Sequence, residues 1–178
     1  VVEIGCGEGD LLQALASARP DGRYLGFDPH PGSPGAGQVE LRRELFEPEM
    51  HMPELRPHLV VARHVLEHLV DPLGLVQVTN AAALANPFEA LLFAEVPCID
   101  RVFETGRTAD FFYEHCSHFT TASFARMLEL GGSRVEFVEH GYGAEVVFGL
   151  AALGGSSRQS AYMSECSAFW QRATRAQR

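Results

Sequence analysis

The chain has 178 residues, of which 46% are hydrophobic and 21% charged, and this balance predicts one globular domain with a full hydrophobic core. Its 14 basic residues stand against 23 acidic ones, and the net charge of -9 argues against a surface that binds nucleic acid. All the basic residues are arginine, which excludes Schiff-base chemistry and the lysine of a P-loop.

The ends and the cysteines of the chain set further expectations. The chain begins without methionine in a strand-like run, so we expect a single domain over residues 1–178 that is an N-terminally incomplete fragment. The four cysteines form no CxxC pair, and free thiols are typical of a cytoplasmic protein. No apolar run approaches the roughly 18 residues that a membrane span needs. We expect a monomer or a homodimer.

The first part of the chain predicts strands alternating with a helix. A short apolar run over residues 1–4 leads into a glycine turn and then into a helix over 10–18. A turn at 20–22 precedes a second strand over 23–27, and a third strand over 39–42 follows a loop rich in proline and glycine. This order is typical of an α/β domain.

The rest of the chain continues the alternation. The proline-punctuated stretch 47–57 carries no prediction of a helix or a strand. The other predicted elements are strands over 59–62, 90–96, 134–139 and 144–150, a helical turn over 65–69, helices over 72–84 and 123–130, and a C-terminal helix from 157.

This alternation predicts a doubly wound α/β domain with a mainly parallel sheet and helices on both faces. In such sheets, ligands bind beyond the carboxyl ends of the strands. Four places meet this condition: the turn after Ile4, Asp28, the segment near Phe46, and Arg63 with His64. We therefore expect the functional site to lie among these residues.

The turn after the first strand has the pattern Glu3-x-Gly5-x-Gly7-x-Gly9 and opens a helix. Glycines let the backbone approach a ligand closely, and a helix N-terminus presents amide donors. A dinucleotide fingerprint GxGxxG starting at Gly5 requires a glycine at the position of Asp10. The spacing therefore disfavours a dinucleotide such as NAD.

An acidic residue at the end of the second strand supports a ligand-binding interpretation of the glycine turn. Asp28 stands where a carboxylate can accept hydrogen bonds from both hydroxyls of an adenosine ribose. Glycine turns are also common at strand-to-helix junctions, so a purely structural turn stays open as the alternative. The two features together indicate a cofactor that contains a ribose.

Three segments, VVEIGCGEG at 1–9, GFDP at 26–29 and RHVLEHL at 63–69, strongly resemble class I S-adenosylmethionine-dependent methyltransferases. The resemblance spans residues 1–150 and implies a seven-stranded sheet whose last strand is antiparallel and lies between the fifth and the sixth. It implies S-adenosylmethionine as the cofactor, with the glycine loop at its methionine part and the acidic residue at its ribose. The cofactor-binding residues that it implies are Glu3, Gly5, Cys6, Gly7, Gly9, Phe27, Asp28, Pro29, Leu45, Phe46, Arg63 and His64.

Titratable and aromatic side chains are concentrated in the run YEHCSHFT at 113–120. Methyl transfer to an acidic carbon or to a hydroxyl requires a general base, for which histidine or a carboxylate is the usual choice. The run resembles the Glu-His-x-x-Tyr-Phe-Ser segment of sugar C-methyltransferases, and Glu114 and His115 match its Glu-His pair. We therefore predict His115 and Glu114 as catalytic residues. We expect the methyl acceptor to be a small molecule, such as a sugar or another secondary-metabolite intermediate.

Two other functions stay open. One is an NAD-dependent oxidoreductase, which Asp10 disfavours, and the other is a non-catalytic module that keeps the cofactor pocket. No metal is predicted: His64, Glu67 and His68 have the spacing of one helix face, but a short helical turn is a weak basis for a metal site. The expected partner is a small-molecule acceptor, with neither nucleic acid nor a membrane.

Overall fold

The computed structural model describes residues 1–33, 37–86, 88–107, 111 and 114–154. The strands are β1 (Val2–Ile4), β2 (Tyr24–Phe27), β3 (Val39–Arg42), β4 (Leu59–Arg63), β5 (Ala90–Pro97), β6 (Arg134–Gly141) and β7 (Val146–Leu153). The α-helices are α1 (Asp10–Ala18), α2 (Pro48–Leu55), α3 (Pro72–Leu84), α4 (Asp100–Thr105) and α5 (Thr121–Leu130). The helix predicted from residue 157 lies outside the described residues.

The strands form one sheet in the order β3-β2-β1-β4-β5-β7-β6. The pairs from β3 through to β5 are parallel, whereas β7 runs antiparallel to both β5 and β6. The order reverses at β1, which places the carboxyl ends of β1 and β4 side by side. The structure thus confirms the predicted doubly wound, mainly parallel sheet with an antiparallel last strand between the fifth and the sixth.

Apolar side chains cover both faces of the sheet. Along β4, Val60 and Ala62 belong to the largest apolar cluster, and Val61 between them belongs to another one on the opposite face. Met52 of α2 and Phe124 of α5 complete the largest cluster, and both side chains are fully buried. Helices on both faces leave the carboxyl ends of the strands as the part of the sheet that a ligand can reach.

Two helices were not predicted from the sequence. Residues 47–57 contain α2, which the proline-based interpretation missed. Pro48 occupies the first turn of this helix, where its missing N–H costs no hydrogen bond, although Pro53 also lies inside it. The short helix α4 follows β5. Each of these helices follows the carboxyl end of a strand, α2 after β3 and α4 after β5.

Two helix caps fix the segments that lead from the sheet edge into helices. The Asp71 side chain accepts a 2.8 Å hydrogen bond from the amide of Gly74 and caps α3. Thr120 and Ser123 form a capping box at the start of α5. These caps hold the ends of the loops that carry residues 64–70 and 114–119. No helix in the described ranges is long and apolar enough to cross a membrane.

Candidate functional site

The loop between β1 and α1 depends on glycine at three alternate positions. Gly5, Gly7 and Gly9 have φ angles of 68°, 50° and 78°, in the left-handed region that favours glycine. A Cβ on Gly5 would overlap the side chain of Val65, whereas a Cβ on Gly7 would meet nothing within 4 Å. Gly5 is therefore required by close packing, and Gly7 faces open space.

Asp28 holds this loop from the end of β2. Its Oδ2 accepts a 3.0 Å hydrogen bond from the amide of Gly7, and its Oδ1 accepts a 2.8 Å hydrogen bond from the amide of His30. A carboxylate offers about four acceptor positions, so these two bonds leave room for two further donors. Asp28 can therefore position the loop and bind a pair of hydroxyls at the same time.

Glu3 places a buried carboxyl group beneath the glycine loop. It is 5% exposed, and its Oε2 has no hydrogen-bond partner among the described residues. Burial raises the pKa of Glu3 to about 7, although the nearby charge of Arg63 favours ionisation. A cationic ligand at this position would compensate the buried carboxylate.

Of four apolar residues that were predicted to contact the cofactor, two are buried in the core and two are exposed to solvent. The Phe27 ring is 1% exposed and packs against Phe46 and His51 at centroid distances of 5.3 and 4.5 Å. Phe27 faces the site through its carbonyl, which accepts a 2.8 Å hydrogen bond from the amide of Gly5. Leu45 is exposed, as is Pro29. Leu45 and Pro29 are thus accessible to a ligand, and the rings of Phe27 and Phe46 belong to the core.

Cys6 is buried within the glycine loop. Burial raises the pKa of its thiol to about 12, so the sulfur stays protonated and acts as a small packing group. A Cβ on Gly26 of the neighbouring strand would overlap the Cys6 side chain. This packing explains why glycine stands at position 26 within β2, opposite the Cys6 side chain.

Two acidic residues that were not predicted bind Arg63 and His64 at the end of β4. Glu95 of β5 is paired in register with Arg63, and its Oε1 lies 3.0 Å from the Arg63 Nε and 3.4 Å from the His64 Nε2. The His64 Nδ1 lies 3.3 Å from Oε1 of Glu67, which follows in a 3-10 turn at Leu66–His68. These contacts form one charged network at the carboxyl edge.

The network favours a protonated His64 between two carboxylates. Hydrogen bonds to Glu67 and then to Glu95 raise the pKa of His64 to about 9, against the opposing effect of its partial burial. Although burial opposes ionisation of Glu95, the contacts with His64 and Arg63 hold its pKa below the usual value. The sequence held one signal for this, an acidic residue inside the apolar run of β5.

A cavity of about 270 Å³ lies beyond the carboxyl ends of β4 and β5, and we refer to it as the carboxyl-edge cavity. Its apolar wall includes Pro97, Ile99 and Val102. The polar residues that line it are Glu67, Arg107, His115, Ser117, His118 and Glu145. Because Glu67 also contacts His64, the cavity adjoins the charged network at the end of β4.

The two predicted catalytic residues occupy different places. His115 lines the carboxyl-edge cavity, and its ring centroid lies 6.0 Å from that of His118. The Glu114 residue is exposed, and its main-chain carbonyl oxygen lies 3.1 Å from the His68 Nδ1. His118 and Glu67, which were not predicted as functional, line the same cavity as His115.

Residues 1–136 match a family model described as a methyltransferase domain. The chain belongs to this methyltransferase domain family. The match and the fold confirm the predicted class I S-adenosylmethionine-dependent methyltransferase. None of the curated proteins matches the chain.

Solved structures share the fold of this methyltransferase domain at low sequence identity. A chain in the complex between the Haloferax volcanii Trm112 methyltransferase activator and its methyltransferase has a TM-score of 0.65 and 11% identity, with 89% of this chain and 83% of that one covered. LepI in complex with S-adenosylmethionine has a TM-score of 0.60 and 17% identity, with 85% and 42% covered. Magnesium protoporphyrin IX methyltransferase from Synechocystis PCC 6803, with bound S-adenosylhomocysteine, has a TM-score of 0.57 and 14% identity, with 85% and 73% covered.

Proposed function

We propose that the chain binds S-adenosylmethionine at the glycine loop and methylates a small molecule, such as a sugar or another secondary-metabolite intermediate, in the carboxyl-edge cavity. The observation that carries this proposal is that the glycine loop and the carboxyl-edge cavity lie at the same edge of the sheet. The glycine loop follows β1, the cavity follows β4 and β5, and Glu67 lines the cavity while it contacts His64. A cofactor on the loop and an acceptor in the cavity would be neighbours.

The residues at the glycine loop fit this cofactor. The buried Oε2 of Glu3 needs a cationic or donor partner, the space over Gly7 admits a ligand against the backbone, and Asp28 retains two acceptor positions for hydroxyls. When bound, S-adenosylmethionine supplies an electrophilic methyl group on a sulfonium centre. The chain holds the loop in shape through the link between Asp28 and Gly7, so little ordering is needed on binding.

The size and lining of the cavity support a small, polar acceptor. Its volume of about 270 Å³ lies just below the range of roughly 300 to 1,000 Å³ that is usual for small-molecule sites, which favours a small acceptor. Arg107 and Glu145 pair across it with two short contacts, 3.1 and 2.6 Å, which fixes one polar wall. Glu67 and His118 add polar atoms that have no partner among the described residues. Such a lining suits a molecule with several hydroxyl or amine groups.

His115 is the residue that we propose to promote loss of the acceptor's proton. It lines the cavity, and histidine is the side chain that most often transfers protons in enzyme reactions. Glu114 contributes its main-chain carbonyl to His68, and an orienting role of its exposed carboxylate remains a prediction. In an in-line reaction the acceptor atom bonds to the methyl carbon on the side opposite the sulfonium sulfur, which leaves as S-adenosylhomocysteine, while the acceptor's proton would pass to a base such as His115.

Calorimetric titration of the chain with S-adenosylmethionine, S-adenosylhomocysteine and NAD tests the cofactor. We expect the first two to bind and NAD not to bind, because Asp10 stands where the dinucleotide fingerprint has glycine. Binding of NAD alone would contradict the proposal. A non-catalytic module would bind S-adenosylmethionine but release no S-adenosylhomocysteine over long incubation with a panel of hydroxylated small molecules.

A further inference from the structure

One carboxylate and two imidazoles converge beside the carboxyl-edge cavity. Glu67, His68 and His115 each offer one ligand atom, and these three atoms lie within 4.8 Å of one another. Glu67 and His68 belong to the 3-10 turn after β4, whereas His115 belongs to the segment before α5. The rings of His68 and His115 lie edge to face, with centroids 4.9 Å apart. Two separate parts of the chain thus meet at one point.

The carboxylate of Glu67 is short of a partner at this point. Glu67 is 2% exposed, and its Oε1 contacts the Nδ1 of His64 at 3.3 Å. Its Oε2 is buried and has no hydrogen-bond partner within the described part of the chain. A buried carboxylate oxygen is costly unless a donor or a cation faces it. Since Glu67 lines the cavity, a ligand in the cavity can supply that partner.

His68 is oriented as metal-binding histidines usually are. Its Nδ1 lies 3.1 Å from the main-chain carbonyl oxygen of Glu114. A carbonyl oxygen only accepts hydrogen bonds, so Nδ1 carries the proton and Nε2 carries the lone pair. A backbone carbonyl that fixes the tautomer of a histidine in this way is the common outer partner of a metal ligand. His68 therefore presents the lone pair of its Nε2 in a fixed orientation.

The segment that carries His115 is fastened to the turn that carries the other two residues. The amide of Ser117 donates a 3.0 Å hydrogen bond to the carbonyl of Glu67, and the Ser117 hydroxyl donates a 3.4 Å bond to the carbonyl of Leu69. These bonds hold the segment across the turn. The positions of His115 and Glu67 relative to each other are set by the backbone before any ligand binds, which favours tight binding.

We propose that Glu67, His68 and His115 bind one divalent transition-metal cation of the Zn²⁺ or Co²⁺ type at the wall of the carboxyl-edge cavity. Two imidazoles with one carboxylate form a ligand set for such cations, whereas Mg²⁺ prefers oxygen ligands. The role of this cation in the reaction rests on the proposed function: an acceptor hydroxyl bound to the cation would lose its proton more readily. His115 would then promote proton loss by holding the cation.

This site differs from the one that the sequence pattern offered. That pattern grouped His64 with Glu67 and His68, but both ring nitrogens of His64 already face carboxylates, Nδ1 that of Glu67 and Nε2 that of Glu95, so His64 is a poor ligand. The third ligand comes instead from His115, which the sequence places far from the turn.

A second cluster of side chains that could bind a metal differs from the first, because its polar atoms already have partners. Cys98, Asp100 and His140 also offer ligand atoms within 4.8 Å of one another. There the hydroxyl of Thr121 lies 2.7 Å from the His140 Nε2, and the amide of Thr121 donates a 3.0 Å bond to Asp100. These bonds secure the start of α5 and satisfy the polar atoms. The cluster is explained by helix capping and needs no cation.

Titration of the metal-free chain with Co²⁺, followed by visible absorption, tests the proposal without cofactor or acceptor. We expect one Co²⁺ per chain, displaced by Zn²⁺ and not by excess Mg²⁺. The variants His68→Gln and His115→Gln should each weaken Co²⁺ binding by more than about 100-fold, because loss of only an outer hydrogen-bond partner typically costs 10- to 100-fold. Thermal unfolding of each variant reports whether it is folded.

The variant His140→Gln is the matched control, because it removes a histidine from the second cluster. Co²⁺ binding that survives His140→Gln and is lost in the other two variants supports the site. Absence of Co²⁺ absorption in the unaltered chain, or its loss in His140→Gln but not in His68→Gln, overturns the proposal. Affinity for S-adenosylmethionine is measured separately, so failure of the cation site and failure of the proposed function are distinguishable.

Discussion

The amide of Gly7 lies 3.0 Å from Oδ2 of Asp28, and this hydrogen bond joins the loop after β1 to the end of β2. The other oxygen of Asp28 accepts a bond from the amide of His30. One carboxylate therefore fixes both the loop after β1 and the turn after β2, while two of its acceptor positions stay available. The proposed ribose-binding residue is also the residue that preforms the cofactor loop.

Replacing Asp28 with asparagine should weaken S-adenosylmethionine binding by about 10- to 100-fold, because hydrogen bonds to a charged group contribute about 1.5 to 3 kcal/mol. The change keeps the size of the side chain and one acceptor oxygen. Calorimetry on Asp28→Asn measures the effect. The control is Asp21→Asn, an exposed aspartate that pairs with Arg19, and it should leave the affinity unchanged. Equal affinities for the two variants would remove the ribose assignment.

Gly7 and Gly143 form a matched pair for testing the cofactor loop. Both have positive φ angles, 50° and 66°, and a Cβ on either would meet nothing within 4 Å. Alanine at each position should therefore destabilise the fold by a similar amount, about 1 to 2 kcal/mol. Only Gly7→Ala should also reduce the affinity for S-adenosylmethionine. Urea unfolding and calorimetry separate the two effects, and an unaffected affinity in Gly7→Ala would exclude close contact between ligand and loop.

Glu3 should make the stability of the fold depend on pH. Its folded pKa of about 7 lies above the ordinary value of 4.5, so the folded chain holds this proton over a range where the unfolded chain has lost it. The free energy of unfolding should therefore fall by on the order of 3 kcal/mol as the pH rises from 4.5 to beyond 7, and level off above. Urea unfolding should show a smaller fall in Glu3→Gln. Glu8→Gln, which replaces an exposed glutamate, is the control and should show the same fall as the unaltered chain. If the free energy of unfolding of Glu3→Gln fell as much as that of the unaltered chain, Glu3 would not be the group responsible.

The same group should couple cofactor binding to pH. A cationic ligand beside Glu3 favours the ionised carboxylate, so binding releases a proton when the pH lies below about 7. We expect the affinity for S-adenosylmethionine to rise between pH 6 and 8 in the unaltered chain, and to change less in Glu3→Gln. Calorimetry in buffers of different ionisation enthalpy counts the protons released. If binding at pH 6 released no proton, the cationic group of S-adenosylmethionine would not lie beside Glu3.

His115→Gln should lower turnover by about 100-fold or more, the usual contribution of a group that assists proton transfer. The affinity for S-adenosylmethionine should stay within error, because His115 lines the carboxyl-edge cavity and not the glycine loop. Transfer of a labelled methyl group to an accepted small molecule measures turnover. The exposed His58, which precedes β4, offers the control His58→Gln. Full activity in His115→Gln would end its proposed role.

The sequence predicted the elements whose boundaries carry chemical signals. The bounds of α1 and α3 match the prediction to the residue, because Gly9 precedes one helix and Asp71 with Pro72 opens the other. Helix α2 was missed because its two prolines are stop signals in most helices. The position of β7 came from the family resemblance, since strand order is a matter of long-range pairing that local patterns do not contain.

The residues of the candidate site also differ in whether local sequence signals could reveal them. The place of Gly5 to Gly9 and of Asp28 at the carboxyl edge could be predicted, because each follows a strand, and their part in ligand binding stays a prediction. Glu95 could not, because its role comes from the register that sets it opposite Arg63 across two parallel strands. Glu67 and His115 meet only because Ser117 ties a distant segment to the turn after β4. Contacts of this kind depend on tertiary structure.

The late place of β7 in the chain has a consequence for biosynthesis. All eight residues of β7 are buried. The strand pairs along its whole length with β5 on one side, and from Val146 to Ala152 with β6 on the other. Until the ribosome has released Val146–Leu153, β5 is an open edge that exposes Leu92 and Phe93, together with its unpaired backbone groups. A nascent chain therefore passes through a stage in which the edge of this largely apolar strand is available to other chains. A chain that ends before β7 is complete would keep this edge of β5 unpaired, so the synthesis of Val146–Leu153 is the step that closes the edge.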